Sequence, residues 1–427
     1  MYTGCALKTA AILGFECPFR GCKVFILVGA IESEEWELVS HREPTERLKS
    51  IRPSGIRRFF VSAQEMPTCI TLSVGEPDFC PPLHALSGGW EAVKDGKTHY
   101  APTNGIPELR EGLAQKAYRD YGLHYDPNNE ILVTVGGTQA ISIALMGLLN
   151  QGDEVLIPDP GFIVYEPCVL LAGGIPVHVP LREDNDFRPS IADVTSLITD
   201  KSRVMILNYP NNPTGSVLSY DEVAQLSRIA VERDLTVISD EVYEKMVYDG
   251  VKHYCLATFP GMRERTLVIN SFSKTYAMTG LRVGCAYGPE DLISSLWLVH
   301  QYTVACVDTF SQYVALAALK GPQTCVEEMV REFDRRRHFV HKKLNEIEGF
   351  KCQLPKGAFY AFPNIKGSGL SSEQLAGLLL NEANVLAVPG SSFGAYGEGY
   401  LRLSYAAAYS DLEEAMDRME RVLRKLA

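Results

Sequence analysis

The chain lacks an excess of positive charge. Its formal net charge is −11 over 427 residues, so nucleic-acid phosphates would be repelled unless a local basic patch overcame the overall field. The densest basic run, Arg335-Arg336-Arg337, follows Glu327, Glu328 and Glu332 in a helix-like segment and reads as a solvated face. Also missing is any run of about 18 uninterrupted apolar residues, so a membrane role is not expected. The eleven cysteines fall singly without a C-x-x-C pair, which excludes an evident disulfide framework or zinc site and fits a reducing cytosol. Cys17 and Cys22 are the closest pair, and no histidine near them completes a tetrahedral set, so no metal is called for. The dinucleotide fingerprint G-x-G-x-x-G is absent. Gly96-Lys97-Thr98 looks like the tail of a P-loop, but Glu91 stands where its first glycine belongs. Neither an internal repeat nor a low-complexity tract is present.

What is there belongs to a globular protein. The hydrophobic and charged fractions, 46% and 22%, are ordinary, and a chain this long exceeds a single core, so about two or three structural units are expected. Residues 1–42 form an N-terminal extension. Its apolar pieces are broken by Arg20 and Lys23 and lack a small-residue cleavage site, which makes a signal peptide a poor match. A disordered arm, or an extension upstream of the natural start, is the expectation. Residues 43–80 then form an arm packed on a small domain, 81–312 a large domain, and 313–427 the small one.

The large domain carries a βα alternation: a short β-branched run, a polar or Gly/Pro break, then a longer amphipathic stretch. Strands are expected at 131–135, 154–157, 176–179, 204–207, 236–239, 266–270 and 283–287. These runs are almost continuously apolar, as in strands covered on both faces, so the fold class is α/β with a seven-stranded, mainly parallel sheet between helices. Function is then expected at strand C-terminal ends. Residues 292–319 read as one long helix. Beyond Gly321 a smaller α+β unit is expected, with a charged helix over 326–348, strands near 358–362 and 401–405, and helices near 372–382 and 411–426.

Polar residues gather at those strand ends. After 204–207 comes Asn208-Tyr209-Pro210-Asn211-Asn212-Pro213-Thr214-Gly215. After 236–239 comes Asp240-Glu241-Val242-Tyr243, and after 266–270 comes Ser271-Phe272-Ser273-Lys274-Thr275, with Arg282 eight residues past the lysine. Singly these are a turn, an N-cap and a surface lysine. Together they offer an amide, an acid, a phenol, hydroxyls, an amine and a guanidinium at adjacent turns. Earlier, the first strand runs into Gly136-Gly137-Thr138-Gln139 at a helix start, where free N–H groups and a hydroxyl suit a phosphate.

In this order, Asn-Asn-Pro-Thr-Gly, Ser-Asp-Glu-Val-Tyr, Ser-x-Ser-Lys-Thr with a following Gly-Leu-Arg, and a late Arg-Leu-Ser resemble the class I aminotransferases. These belong to the fold type I pyridoxal-phosphate enzymes, and the likeness is to their aspartate, aromatic and kynurenine branch. Val74-Gly75-Glu76-Pro77-Asp78-Phe79, Tyr100-Ala101-Pro102 and Gly105-Ile106-Pro107-Glu108-Leu109-Arg110 extend it, so it spans about residue 72 to the C-terminus. The resemblance implies pyridoxal 5'-phosphate as cofactor, held by Lys274 as an internal Schiff base, with Lys274 then shuttling a proton. Asp240 is implied to face the pyridine nitrogen. At about 4 Å and an effective dielectric of about 20 such a pair is worth about 4 kcal/mol, or roughly three pKa units. Asn212 and Tyr243 are implied donors to the cofactor's phenolic oxygen. Gly137, Thr138, Ser271, Ser273 and Arg282 are the implied phosphate holders. Phe162 matches an aromatic stacked on the pyridine, although a plain core phenylalanine fits that position too. Tyr100 matches a tyrosine that reaches the neighbouring subunit's phosphate, which implies a homodimer. Arg402 matches the arginine gripping the substrate α-carboxylate, assisted by Gly75 and Asn212.

The implied reaction moves the amino group of an amino acid to a 2-oxo acid such as 2-oxoglutarate by a ping-pong mechanism. Related subgroups preferring aspartate often carry lysine where this chain has Thr138. That departure and the nearby aromatics Phe79, Tyr100, Tyr165 and Tyr209 point to a neutral or aromatic donor, with aspartate possible. Tyr209 also replaces the small hydroxyl residue common before Pro-Asn-Asn-Pro. A carbon–sulfur lyase or decarboxylase on the same scaffold stays open, because Lys274 and Asp240 serve those equally. An aminotransferase-like regulator fused to a DNA-binding module is remote, since the acidic balance opposes DNA and few residues precede the arm.

Overall fold

A computed structural model describes residues 10–16, 23–29, 45–51, 66 and 68–425. It divides into two units, 1–45 and 46–427. In the first, β1 (Ala10–Glu16) and β2 (Lys23–Gly29) pair antiparallel, Ala10 opposite Gly29 and Glu16 opposite Lys23. The rest of the 1–42 extension, expected to be disordered, lies outside the described residues, as does 52–65 of the arm.

In the second unit β3 (Ile70–Thr71) comes first. The strands β4 (Ile131–Thr134), β5 (Glu154–Asp159), β6 (Ile175–Pro180), β7 (Ser202–Asn208), β8 (Thr236–Asp240), β9 (Thr266–Ser271) and β10 (Gly284–Tyr287) then build one sheet in the order β4-β10-β9-β8-β7-β5-β6. All seven expected strands are present and share that sheet. Strands β5 to β9 run parallel, whereas β10 is antiparallel to both β4 and β9. The reason lies in the connection: between β9 and β10 the chain has only a four-residue helix, Phe272–Thr275, and a 3-10 turn. It therefore turns back instead of making the helical crossover that a parallel neighbour requires.

Every residue of β4, β9 and β10 is buried, which explains the apolar runs 131–133 and 267–269. Successive side chains go to opposite faces. Leu132, Val155, Val204, Ile206, Ile238 and Ile269 join the core on one face with Ile141, Ala144 and Leu145 of the helix Gly136–Leu148. On the other face Leu156, Met205, Leu207 and Val237 meet Val223 and Leu226 of the helix Tyr220–Glu232. That helix starts at a capping box, in which Ser219 and Glu222 each satisfy the other's backbone N–H.

The single helix expected over 292–319 is two helices, Glu290–Thr303 and Thr309–Lys320. The chain breaks at Ala305, which has φ 70°, and Asp308 restarts it by accepting the Ser311 N–H at 2.7 Å. The second of these helices packs on Leu83–Lys94 and Pro107–Tyr121, so a boundary placed between 312 and 313 falls inside it.

The C-terminal part holds β11 (Tyr360–Ala361), β12 (Val385–Leu386), β13 (Val388–Pro389) and β14 (Leu401–Ser404). The order β11-β14-β13 makes a small antiparallel sheet, and β12 pairs in parallel with β3. Helices Thr324–Glu346, Ser372–Ala383 and Tyr409–Leu423 close over it through a core that includes Phe333, Leu379, Leu403 and Met416. Among the described residues, no helix is long and apolar enough to cross a membrane.

Candidate active site

The carboxyl ends of β4, β7, β8 and β9, together with β14, open onto one cavity of about 310 Å3, a volume suited to a small organic ligand. Gly75, Gly137, Thr138, Phe162, Asn212, Asp240, Tyr243, Ser271, Ser273, Lys274, Arg282 and Arg402 all line it. Tyr100 does not: its side chain is 93% exposed, away from the cavity of its own chain.

Asp240 ends β8. Its Oδ2 accepts the Tyr165 hydroxyl at 2.7 Å and its Oδ1 the Val242 N–H at 3.4 Å. Burial is the main influence on its carboxyl and pushes the pKa up to about 6; the Tyr165 hydrogen bond opposes this. Lys274 sits in the first turn after β9, and its Nζ donates to the carbonyl oxygen of Gly75. Burial lowers the amine to about 8, with Glu76 opposing and Arg402 and Arg282 reinforcing the shift. A buried amine near neutrality is a usable nucleophile and base.

The opposite wall comes from the C-terminal part. Arg402 on β14 is 4% exposed. Its Nη1 donates to Asn212 Oδ1 at 3.0 Å and its Nη2 to the Ser73 carbonyl, while Nε is buried without a partner among the described residues. Because Asn212 offers its oxygen to Arg402, the amide turns its NH2 group elsewhere. The guanidinium lies 4.6 Å from the Tyr360 ring and 4.8 Å from that of Phe393. Tyr243 and Tyr360 share a hydroxyl–hydroxyl hydrogen bond of 2.8 Å.

At the far end the chain approaches itself closely. Gly136 opens the helix Gly136–Leu148 with φ 74°, and a Cβ there would stand 2.5 Å from Arg282 Nη2. A Cβ on Gly284 would stand 2.7 Å from the Gly136 backbone carbon. Arg282 is held by donating to the Thr279 carbonyl at 2.8 Å, and Ser271 Oγ accepts the Ser273 N–H at 3.2 Å. Helix N–H groups, two serines and a guanidinium thus face one small volume, the donor set for a phosphate dianion.

The aromatic surroundings differ from expectation. Phe79, Tyr165 and Tyr209 do not line the cavity. Tyr165 is spent on Asp240, Tyr209 belongs to the core on the far face of the sheet, and Phe79 packs edge-on against Phe333. The aromatic wall is made instead by Phe162, Tyr243, Tyr360 and Phe393. Tyr360 and Phe393 carry no motif of their own, and only folding brings them to the lysine. Ser73, just before Val74-Gly75, and Asn208, the first residue of the polar run at the end of β7, also line the cavity.

The family model for aminotransferase class I and II matches residues 67–419. The chain is 49% identical over 383 residues to an aspartate aminotransferase of Pyrococcus abyssi, spanning 89% of this chain and 98% of that protein. It is equally, 49%, identical over 383 residues to aromatic-amino-acid aminotransferase 2 of Thermococcus litoralis, with the same shares covered. The crystal structure of an aromatic aminotransferase from Pyrococcus horikoshii superposes with a TM-score of 0.83 at 47% identity, covering 86% of this chain and 100% of that one. With most of its length matched by the family model and its fold shared with such enzymes, the chain belongs to the class I and II aminotransferases and is a transferase of amino groups.

Proposed function

We propose that the chain binds pyridoxal 5'-phosphate and passes the amino group of a neutral or aromatic amino acid, with aspartate as a secondary donor, to a 2-oxo acid such as 2-oxoglutarate. Turnover is ping-pong. The observation that carries this reading is the meeting of Lys274, Asp240 and Arg402 in one cavity of about 310 Å3. The residues present fit the cofactor: a buried acid, a depressed amine and a tight glycine-lined donor cradle at a helix start. When bound, pyridoxal phosphate supplies an aldehyde that condenses with primary amines and a ring that accommodates the electron pair left on the substrate α-carbon.

Lys274 holds the cofactor and moves the α-proton at Nζ. Asp240 holds a proton against the ring nitrogen, kept in place by Tyr165. Asn212 and Tyr243 would donate to the phenolic oxygen, and Phe162 would offer the ring an apolar face. The phosphate is held by Gly137, Thr138, Ser271, Ser273 and Arg282, and in a homodimer by Tyr100 of the partner subunit. The exposure of Tyr100 supports that last role. Arg402 grips the α-carboxylate through Nε and Nη2, with Gly75 and Asn212 beside it. The unpartnered Nε supports this. Among the described residues, the cations lining the cavity are Lys274, Arg282 and Arg402. No cation among these lining residues is therefore left for a distal acid, which supports a neutral or aromatic donor. Equal identity to an aspartate and an aromatic enzyme supports keeping both donor classes. Gly75 of the arm and Arg402 of the C-terminal part carry the carboxylate site, the strand ends of the large domain carry the cofactor site, and the free cysteines among the described residues suit the cytoplasm.

The test is spectroscopic. The purified protein should absorb near the visible edge, and borohydride should fix the chromophore on the Lys274 peptide. Donor and acceptor should give parallel-line kinetics. An unlabelled Lys274 peptide, or pyruvate and ammonia released without an acceptor, overturns the reading.

A further inference from the structure

The last residue of β5, Asp159, is 2% exposed and none of the roles above uses it. Its carboxylate reaches into the turn 390–397 of the C-terminal part. Oδ2 accepts the Ala395 N–H at 3.1 Å and Oδ1 the Tyr396 N–H at 3.0 Å. His178 Nδ1 on β6 lies 3.3 Å from Oδ2. Two residues on, the Gly161 N–H donates to the Phe393 carbonyl at 2.8 Å. Gly394 has φ 127°, and a Cβ there would stand 2.1 Å from Asp159 Oδ1, so the backbone comes this close only as glycine. The residue held between these bonds is Phe393, whose ring is buried, lines the cavity and sits 4.8 Å from the Arg402 guanidinium.

We propose that Asp159 is a positioning residue for substrate. It clamps the 390–397 turn to the end of β5, so that Phe393 stays against one side of Arg402 and Arg402 keeps Nε and Nη2 directed at the incoming carboxylate. This rests on reading Arg402 as the carboxylate receptor. The physical basis is that a buried carboxylate accepting two backbone N–H bonds is a strong and directional tie, and that a guanidinium recognises a carboxylate bidentately only within a narrow range of angles. Donor and acceptor bring the same α-carboxylate to Arg402 in turn, so a loosened clamp affects both half-reactions. Cofactor retention, at the other end of the cavity, is spared.

The experiment uses the holoenzyme with Asp159→Asn, Phe393→Leu and the double variant. Each single change is expected to raise KM for the amino acid and for the 2-oxo acid together by about tenfold, with kcat falling less than about threefold. Pyridoxal phosphate affinity, read by absorbance titration, should stay within about twofold of wild type. The double variant should resemble the worse single one, not the roughly hundredfold product expected of independent sites. Unchanged KM, a multiplicative double variant, or a parallel loss of kcat and cofactor affinity overturns the proposal. Arg402→Lys measured alongside separates the two levels. If it leaves KM at the wild-type value, the receptor reading has failed. If it raises KM while Asp159→Asn does not, only the clamp has failed.

Discussion

Replacing Asp240 with asparagine should stabilise the cofactor-free protein while crippling the enzyme. Burial moves the Asp240 carboxyl from 3.8 to about 6, a displacement of about 2 pKa units or about 3 kcal/mol. The sign follows from proton affinity. Between these two values the folded chain binds the proton more tightly than the unfolded chain, so folding loses stability as pH rises through that window. The cost of the ionised carboxylate is nearly absent at about pH 4 and fully present at about pH 8. Asparagine has the same shape and removes the charge; its one oxygen can accept the Tyr165 hydroxyl, and only the long 3.4 Å bond from the Val242 N–H is given up. Asp240→Asn should therefore gain up to about 3 kcal/mol over wild type at about pH 8 and almost nothing at about pH 4. Urea denaturation of both cofactor-stripped proteins across that range measures the difference. With cofactor added the order should reverse, because the ring nitrogen loses its counter-charge. A stability difference that is flat with pH, or an asparagine protein less stable at about pH 8, would refute the burial argument.

Arg402→Lys should lower kcat/KM by about 100-fold, about 3 kcal/mol, because one ammonium cannot replace a two-point guanidinium grip; steady-state rates showing a loss under about threefold would remove Arg402 from carboxylate binding. Gly136→Ala combines φ 74° with a Cβ 2.5 Å from Arg282 Nη2. It should cost about 1–2 kcal/mol and weaken binding of pyridoxal phosphate more than that of unphosphorylated pyridoxal, which competitive titration would show. Ser219→Ala removes the capping box of Tyr220–Glu232 and should cost about 1 kcal/mol in urea without changing KM; a changed KM would mean that this helix start bears on the site.

The part of this protein legible in the one-dimensional chain is the part set by local periodicity and short motifs. The strands carry short apolar runs, such as 204–207 in β7 and 267–269 in β9, so all seven are legible, and the ends of β4, β7, β8 and β9 deliver their polar clusters within a few residues. That is why Lys274, Asp240, Asn212 and the Gly136-Gly137-Thr138 turn were readable at once. The antiparallel direction of β10 and the break at Ala305 were not, because the first depends on where a short connection can go and the second on one residue's backbone angle. The aromatic wall is not legible in the sequence for a related reason. Tyr165 and Tyr209 are near the motifs in sequence, but strand parity and the pull of the Asp240 carboxylate turn them away, while Tyr360 and Phe393 arrive from more than eighty residues beyond Lys274. Composition and motif order alone determined a globular α/β chain with a lysine, an acid and a phosphate cradle at successive strand ends. Which side chains face one another across the cavity, how far burial moves Asp240 and Lys274, and how Asp159 ties a distant turn to β5 are pairwise matters of distance and dielectric, and those exist only once the chain has folded.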